Sequence, residues 1–280
     1  MKRRCTLAAL GLLVALSGCT TPDSVSRFCN SATSTLSAAR PVFADMKQSC
    51  LREVQSRTEF GSFTMPVQED PGCTAIGKQA DGAEAAVAIL SDFYEALNDV
   101  ASYGTTRAGA DAKDLASQTG AAFGAGSRVQ NALGSIAGII VSASTARYQQ
   151  KQLEKDLASA NGSVAQVNEA LIKILREDYI GRLLKSEEEK LNTRYAEFIK
   201  LHPSPEVKLL LDERWYADEK ALQARRASAK SLISALDTLS KGTADLSANA
   251  HQLKTRELLA ILEPYVGQLK GLVPLIEKGF

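Results

Sequence analysis

The stretch LDERWYADEKALQARRASAKSLISALDTL, residues 211–239, decides the fold. Its apolar residues recur at steps that are mostly three, four or seven, and they are Leu211, Trp215, Leu222, Ala229, Leu232, Leu236 and Leu239. This spacing places them on one face of an α-helix. Ser204 and Pro205 precede the stretch, and they suit the N-cap and the first helical position. The sequence therefore predicts a long amphipathic helix that must bury one face against other helices.

Two positions on this repeat are charged, Asp218 and Arg225. We expect the apolar stripe to drift off the core at these positions and to leave both side chains solvated. The alternative is a buried ion pair that fixes the register of the helix.

The same periodicity extends through much of the chain. Apolar residues at helical spacing cover 23–57, 81–103 and 163–201, and a last helical stretch runs to Lys278. Aromatic residues are only 6% of the chain, and alternating β-branched runs are scarce. The sequence predicts an all-α fold, an elongated up-and-down antiparallel helical bundle with long helices.

Proline and glycine suggest where the helices end. Pro41 predicts either a kink or a fresh helix start. Five proline and glycine residues interrupt residues 58–80, which we interpret as a long loop. Asn161-Gly162 and Lys241-Gly242 indicate a stop and a turn. We expect residues 19–280 to form a single domain.

Residues 120–146, GAAFGAGSRVQNALGSIAGIIVSASTA, are rich in glycine and carry one charge, Arg128. Gly120 and Gly124, and likewise Gly134 and Gly138, have the small-x-x-x-small spacing that lets helix backbones approach closely. We favour a tightly packed central helix, in which a leucine at Gly134 or Gly138 would overpack. The alternative is a segment that inserts into a membrane or drives self-assembly.

The N-terminus predicts export. Lys2, Arg3 and Arg4 precede an apolar run at 6–15, which is typical of a signal peptide over residues 1–18. Leu16-Ser17-Gly18-Cys19 resembles the lipobox of bacterial lipoproteins. The resemblance implies a diacylglyceryl group on Cys19, cleavage before it, and acyl chains as the membrane anchor. Thr20 is not the aspartate that signals inner-membrane retention, so the resemblance implies the periplasmic face of a Gram-negative outer membrane.

Three cysteines besides Cys19 remain after cleavage, and an oxidising compartment favours a disulfide between two of them. If one helix runs through Pro41, Cys29 and Cys50 are roughly 31 Å apart along it. A disulfide needs Cα atoms within about 7 Å, so Cys50 would pair with Cys73. If the chain turns back at Pro41, Cys29 and Cys50 would meet instead.

Composition argues against several functions. The chain has 33 Lys and Arg and 32 Asp and Glu, and the leader holds three of the basic residues, so the mature charge is 30 − 32 = −2. A nucleic-acid-binding protein would show a basic surplus. His202 and His251 do not complete a zinc site, which needs three or four ligands. We interpret Glu187, Glu188 and Glu189 as a solvated face, because consecutive helical residues point in different directions.

No motif of a nucleophile, phosphate or dinucleotide site is evident, and we expect no cofactor. The sequence favours a lipid-anchored, non-enzymatic envelope module that binds a protein partner or acts as a scaffold. The alternative is a membrane-active or self-assembling protein that uses residues 120–146.

Overall fold

The computed structural model confirms the all-α class, because all regular secondary structure in the described residues is helical. The described residues are 24–57, 71–102, 116, 119, 127–143, 150–201, 204–252 and 256–280. The α-helices are α1 (Ser24–Arg57), α2 (Pro71–Ala101), α3 (Ser127–Ala143), α4 (Gln150–Lys173), α5 (Lys185–Leu201), α6 (Pro205–Ala248) and α7 (Arg256–Glu277). A π-helical segment, Ile174–Leu184, joins α4 to α5, and a 3-10 turn covers Ala250–Gln252.

The long helices pack antiparallel to their neighbours in sequence. Phe28, near the start of α1, stacks edge-on against Tyr94, near the end of α2, with ring centroids 5.9 Å apart. Asn168 of α4 donates to Ser240 of α6 over 2.9 Å. Tyr265, early in α7, donates to Asp245, late in α6, over 2.6 Å. These contacts give the up-and-down order that the sequence predicts.

The core follows the apolar stripes of the sequence. Its largest fully buried side chains come from five of the helical segments and are Tyr94, Tyr179, Phe28, Phe43, Leu36, Met46, Ile89, Leu90, Leu133, Ile136, Ile140 and Leu157. Small residues dominate the rest of the contact between α1 and α2, where Ala32, Ala39, Ala83 and Ala86 are fully buried. Alanine at these positions lets two helices approach closely along their length.

Several helix boundaries differ from those predicted. The predicted loop at 58–80 is wrong from residue 71, because α2 begins at Pro71. Pro71 suits a first helical position, where its missing N–H is not needed. Cys73, Ile76 and Ala80 extend the buried face of α2 back to that start. Residues 58–70 lie outside the described residues.

The two predicted breaks inside helices are also wrong. Helix α4 continues through Asn161-Gly162, because Leu157, Ala160 and Val164 keep one buried face across it. Helix α6 continues through Lys241-Gly242 to Ala248. Packing against neighbouring helices outweighs the roughly 1 kcal/mol that a glycine costs a helix.

At Pro41 the alternative of a fresh helix start is wrong, because Pro41 lies inside a continuous α1. The predicted start of α6 is confirmed. The hydroxyl of Ser204 accepts from the backbone N–H of Val207 at the start of α6, with Pro205 as the first helical residue.

The predicted disulfide is confirmed. Cys50 near the end of α1 is bonded to Cys73 in the first turn of α2, with Cα atoms 5.6 Å apart. Cys29 is a buried thiol about six turns away along the same helix. The bond therefore holds the end of α1 against the start of α2, next to the charged residues described below.

The glycines of α3 make no close contact with the described residues. A Cβ at Gly134 or Gly138 would have none of their atoms within 4 Å, so no described neighbour requires glycine at these two positions. Gly134 is exposed, and the buried face of α3 is formed by Leu133, Ile136 and Ile140. Gly120 and Gly124 lie outside the described residues. Close packing occurs instead at Gly242, where a Cβ would lie 2.7 Å from the buried ring atom Cζ of Phe28.

We therefore expect alanine to have opposite effects at two glycines. Gly134→Ala should raise the free energy of unfolding by up to about 1 kcal/mol, because an exposed helical glycine gains propensity without a clash. Gly242→Ala should lower it by about 1–3 kcal/mol, because the ring of Phe28 must move. Urea denaturation followed by circular dichroism measures both. Equal effects at the two sites would contradict the packing described here.

Candidate functional site: a charged network at the base of a helical arm

A buried cluster of charged residues, which we call the charged network, joins α1, the π-helical segment, α5 and α6. Glu187 of α5 is its centre and accepts hydrogen bonds from three residues. The donors are Ser49 over 2.7 Å, Arg52 over 2.7 Å and Arg225 over 2.6 Å. The side chain of Glu187 is 10% exposed, and that of Arg225 is 14% exposed. A carboxylate of one helix is thus bound by groups from two others.

Asp45 of α1 is the second carboxylate of the charged network. Arg52 donates to it over 2.8 Å, and the hydroxyl of Tyr179 donates to it over 2.6 Å. Nε of Arg225 lies 3.6 Å from the same carboxylate. Two carboxylates and two guanidinium groups therefore face each other, and their formal charges cancel.

The charged network shifts the pKa of two of its members. Burial by itself lowers the pKa of Arg52, but hydrogen bonds to Asp45 and Glu187 and the charges of both carboxylates raise it above its ordinary value. Burial and then the charge of Asp45 raise the pKa of Tyr179, so its hydroxyl remains a donor. Arg52 and Tyr179 are consequently bound to the carboxylates of Asp45 and Glu187 rather than presented to solvent as reactive groups.

The structure corrects the interpretation of the acidic run at 187–189. Glu187 is buried, Glu188 forms an ion pair of 2.6 Å with Arg226, and Glu189 is exposed. The three side chains do point in different directions, but the first points into the protein. A signal was present in the sequence, because Glu187 stands four residues after Leu183 and four before Leu191 on the apolar face.

Arg225 and Asp218 also differ from the expectation of solvated charges. Arg225 is half-buried and paired, though across helices with Glu187 and Asp45 rather than with Asp218. Asp218 is half-buried and accepts from the hydroxyl of Tyr195 over 2.8 Å. Both side chains are therefore more enclosed than expected, and Arg225 forms its ion pairs with other helices.

The π-helical segment positions part of the charged network. A π-helix adds one residue per turn, which rotates the residues that follow onto a new face. Tyr179, Leu183 and Leu184 are buried within it. Gly181 permits this backbone, because a Cβ there would lie 2.9 Å from the carbonyl oxygen of Arg176.

Beyond the charged network, α5 and α6 continue as a two-helix projection that we call the arm, residues 189–201 and 205–221. Two hydrogen bonds join its helices, one from Tyr195 to Asp218 and one from Trp215 to Asn192, each 2.8 Å long. Tyr195 is the buried side chain of the arm in the part of the chain that the structure describes. The first fully buried residue of α6 is Leu222, so the arm starts where the core ends.

The arm carries most of the exposed large apolar side chains of the described residues. Leu201, Leu209, Leu210 and Tyr216 are 61–65% exposed, and Val207 and Trp215 are 36% exposed. The other two, Leu275 and Phe280, are near the C-terminus. Isolated surface leucines are normal, but a group of six on one projection indicates a binding surface.

The remaining predicted site residues are distributed as follows. Cys19 and His202 lie outside the described residues, and His251 is exposed in the 3-10 turn. Within the described ranges, no three or more His, Cys, Asp or Glu side chains are placed to hold a metal ion.

One helix of the described chain, α7, is long and apolar enough over Glu257–Glu277 to cross a bilayer by length and composition. Its inner face packs in the bundle, with Leu258, Leu262 and Leu269 fully buried. Arg27 of α1 also forms a 2.8 Å ion pair with Glu263 of this helix. These contacts are typical of an amphipathic bundle helix.

Comparisons with protein-family models, curated proteins and solved structures gave no match. The charged network and the arm are therefore the features from which a function must be argued.

We expect the charged network to contribute strongly to stability. Glu187→Ala should lower the free energy of unfolding by about 3–5 kcal/mol, because it removes a buried carboxylate and leaves Asp45 as the one carboxylate that pairs with both Arg52 and Arg225. The matched control is Glu189→Ala, which removes an exposed carboxylate two residues away and should change stability by about 0.5 kcal/mol or less. Denaturant titration of both variants measures the difference. Similar values for the two would show that Glu187 is not a structural centre.

Proposed function

We propose that this chain is a lipid-anchored, non-enzymatic module of the cell envelope that presents its arm to a protein partner. The observation that carries the proposal is the arm itself, whose exposed apolar side chains extend beyond the core. Acyl chains on Cys19 would hold the protein at the periplasmic face of a Gram-negative outer membrane.

The distance between the Cys19 end of the bundle and the tip of the arm supports a role in which the arm is presented to a partner. Four residues, 20–23, separate Cys19 from Ser24 at the start of α1. From Ser24 to Ser49, beside Glu187, α1 rises roughly 38 Å, and α5 rises roughly 21 Å more from Glu187 to Leu201. The tip of the arm therefore lies on the order of 60 Å from the anchored end along the bundle. An anchor at Cys19 would leave the arm free to meet a partner away from the membrane surface.

The chemistry of the arm supports a protein partner rather than lipid. Its apolar side chains alternate with acidic ones, among them Glu206, Asp212 and Glu213 in the first turns of α6. A buried carboxylate in a bilayer costs about 2.5–3.5 kcal/mol per residue. Mixed charges around apolar residues suit a protein interface with a polar rim.

A non-enzymatic role is supported by how the buried polar groups are used. Glu187, Asp45, Arg52 and Tyr179 are bound to one another, and all four lie in helices of the bundle. Their arrangement explains rigidity at the base of the arm rather than chemistry on a substrate.

We expect Cys19→Ala to separate the anchor from the fold. The variant should accumulate as an uncleaved precursor or leave the membrane fraction, because the lipid is attached to the sulfur of Cys19. Cell fractionation with immunoblotting measures this. Normal maturation and membrane retention of the variant would contradict the anchor.

We expect binding to depend on the arm. A photo-crosslinking residue at Leu209 should capture a defined protein in cells, and adding Leu210→Glu to the same variant should abolish that capture. Both leucines are more than 60% exposed, so the fold should be unaffected. The matched control places the same residue and the same charge at Ala158, which is exposed on α4. Equal capture from Leu209 and Ala158 would contradict a specific surface on the arm.

A further inference from the structure

The arm exposes six large apolar side chains, four of which are 61–65% exposed. Its α6 portion is 17 residues and roughly 25 Å long, and two helices of about 10 Å diameter make one face about 20 Å wide. A face of about 500 Å² is somewhat smaller than the ~800 Å² that each partner contributes to a standard interface, so the arm is large enough for a small one.

The charged residues on either side of Leu210 are complementary to those of a second, antiparallel copy of the same helix. Glu206, Leu210 and Arg214 are spaced by four residues and therefore form one ridge along α6. When two copies of this ridge run antiparallel and cross at Leu210, each Glu206 faces an Arg214 and the two leucines meet. All three side chains are exposed, with that of Arg214 at 72%.

We propose that the arm binds a second copy of this chain, with the two α6 helices antiparallel and a two-fold axis passing beside Leu210. This proposal rests on the proposed function, because both take the arm as the binding surface. Two-fold interfaces use the same patch on both copies, and the ridge of Glu206, Leu210 and Arg214 is self-complementary in that sense. The ion pairs set the register, and the leucines supply the buried apolar area.

The neighbouring residues fit this arrangement. Leu209 lies beside the ridge, and Tyr216 falls opposite the Ser204 end of the second α6 in the same register. Glu206 and Arg214 have local partners in the single chain, Ser204 over 2.7 Å and Asp218 over 3.4 Å. Both local pairs are exposed, so exchanging them for contacts with a second copy costs little.

The pairing places the two anchored ends far apart. Each copy extends roughly 60 Å from its Ser24 end to the tip of its arm, so the Ser24 ends of a dimer that overlaps at the tips are separated by on the order of 100 Å. The two copies would therefore contact each other through the tips of their arms, and their bundles would not lie side by side.

Cysteine crosslinking of the full-length lipidated protein in detergent micelles tests the axis. Leu210→Cys should form a disulfide-linked dimer on a non-reducing gel, because the two copies meet at that residue. Lys220→Cys is the control, since it lies ten residues from the axis and the two thiols would be roughly 30 Å apart. Equal dimer yields from the two variants, or none from Leu210→Cys, would overturn the antiparallel pairing.

Charge reversal tests the register. Glu206→Arg should weaken dimerisation roughly tenfold in sedimentation equilibrium, because two attractive pairs become repulsive. The double variant with Arg214→Glu should restore it, since each pair is again of opposite sign. A double variant that is no better than the single one would overturn the proposal, as would a wild-type protein that stays monomeric at micromolar concentration.

The two proposals fail differently. If the wild-type chain is monomeric but Leu210→Glu still abolishes capture of another protein, self-pairing is wrong and the presenting role stands. If the arm variants change neither dimerisation nor capture, both are wrong.

Discussion

The pairing of Glu187 with Arg52 and Arg225 is the contact on which the rest of the structure depends. It joins α1 to the consecutive helices α5 and α6, which lie more than 120 residues later in the chain, and it lies where the apolar core ends. Such a pair contributes modestly over an apolar substitute, but it tolerates no shift of one helix along another, because a shift would leave a buried charge unpaired. The network therefore sets the register of α1, α5 and α6.

The other end of the bundle is fixed by shape rather than by charge. The backbone of Gly242 in α6 lies against the ring of Phe28, which stacks on Tyr94, and the hydroxyl of Tyr94 shares a 2.7 Å hydrogen bond with Thr243. A close helix approach at one end and an ion network at the other hold α1 and α6 at two points. Two fixed points along helices this long leave little freedom for sliding between them.

The arm follows from this arrangement. On the bundle side of Glu187 and Arg225, the apolar face of α6 packs against the common core. On the arm side, α5 and α6 pack against each other. A pair of helices can bury a narrow seam, here Tyr195 against Asp218 and Trp215 against Asn192, but the outer faces remain in solvent. Leucines on those faces are unfavourable in water, which is the physical reason to infer a partner, and the charges beside Leu210 suit a second copy.

The sequence by itself determined the helical class, the antiparallel order and the capped start of α6, and it predicted the disulfide between Cys50 and Cys73 for the case in which α1 runs through Pro41. These depend on local periodicity, on hydroxyl and proline chemistry and on chain length, which can be read along one helix. Only the tertiary structure decided that Glu187 is buried, that helices continue through Gly162 and Gly242, and that Gly134 packs against none of the described residues. Each depends on which face a neighbouring helix covers. A glutamate or glycine has the same local signature in water as in a core, and the contacts across helices decide between them.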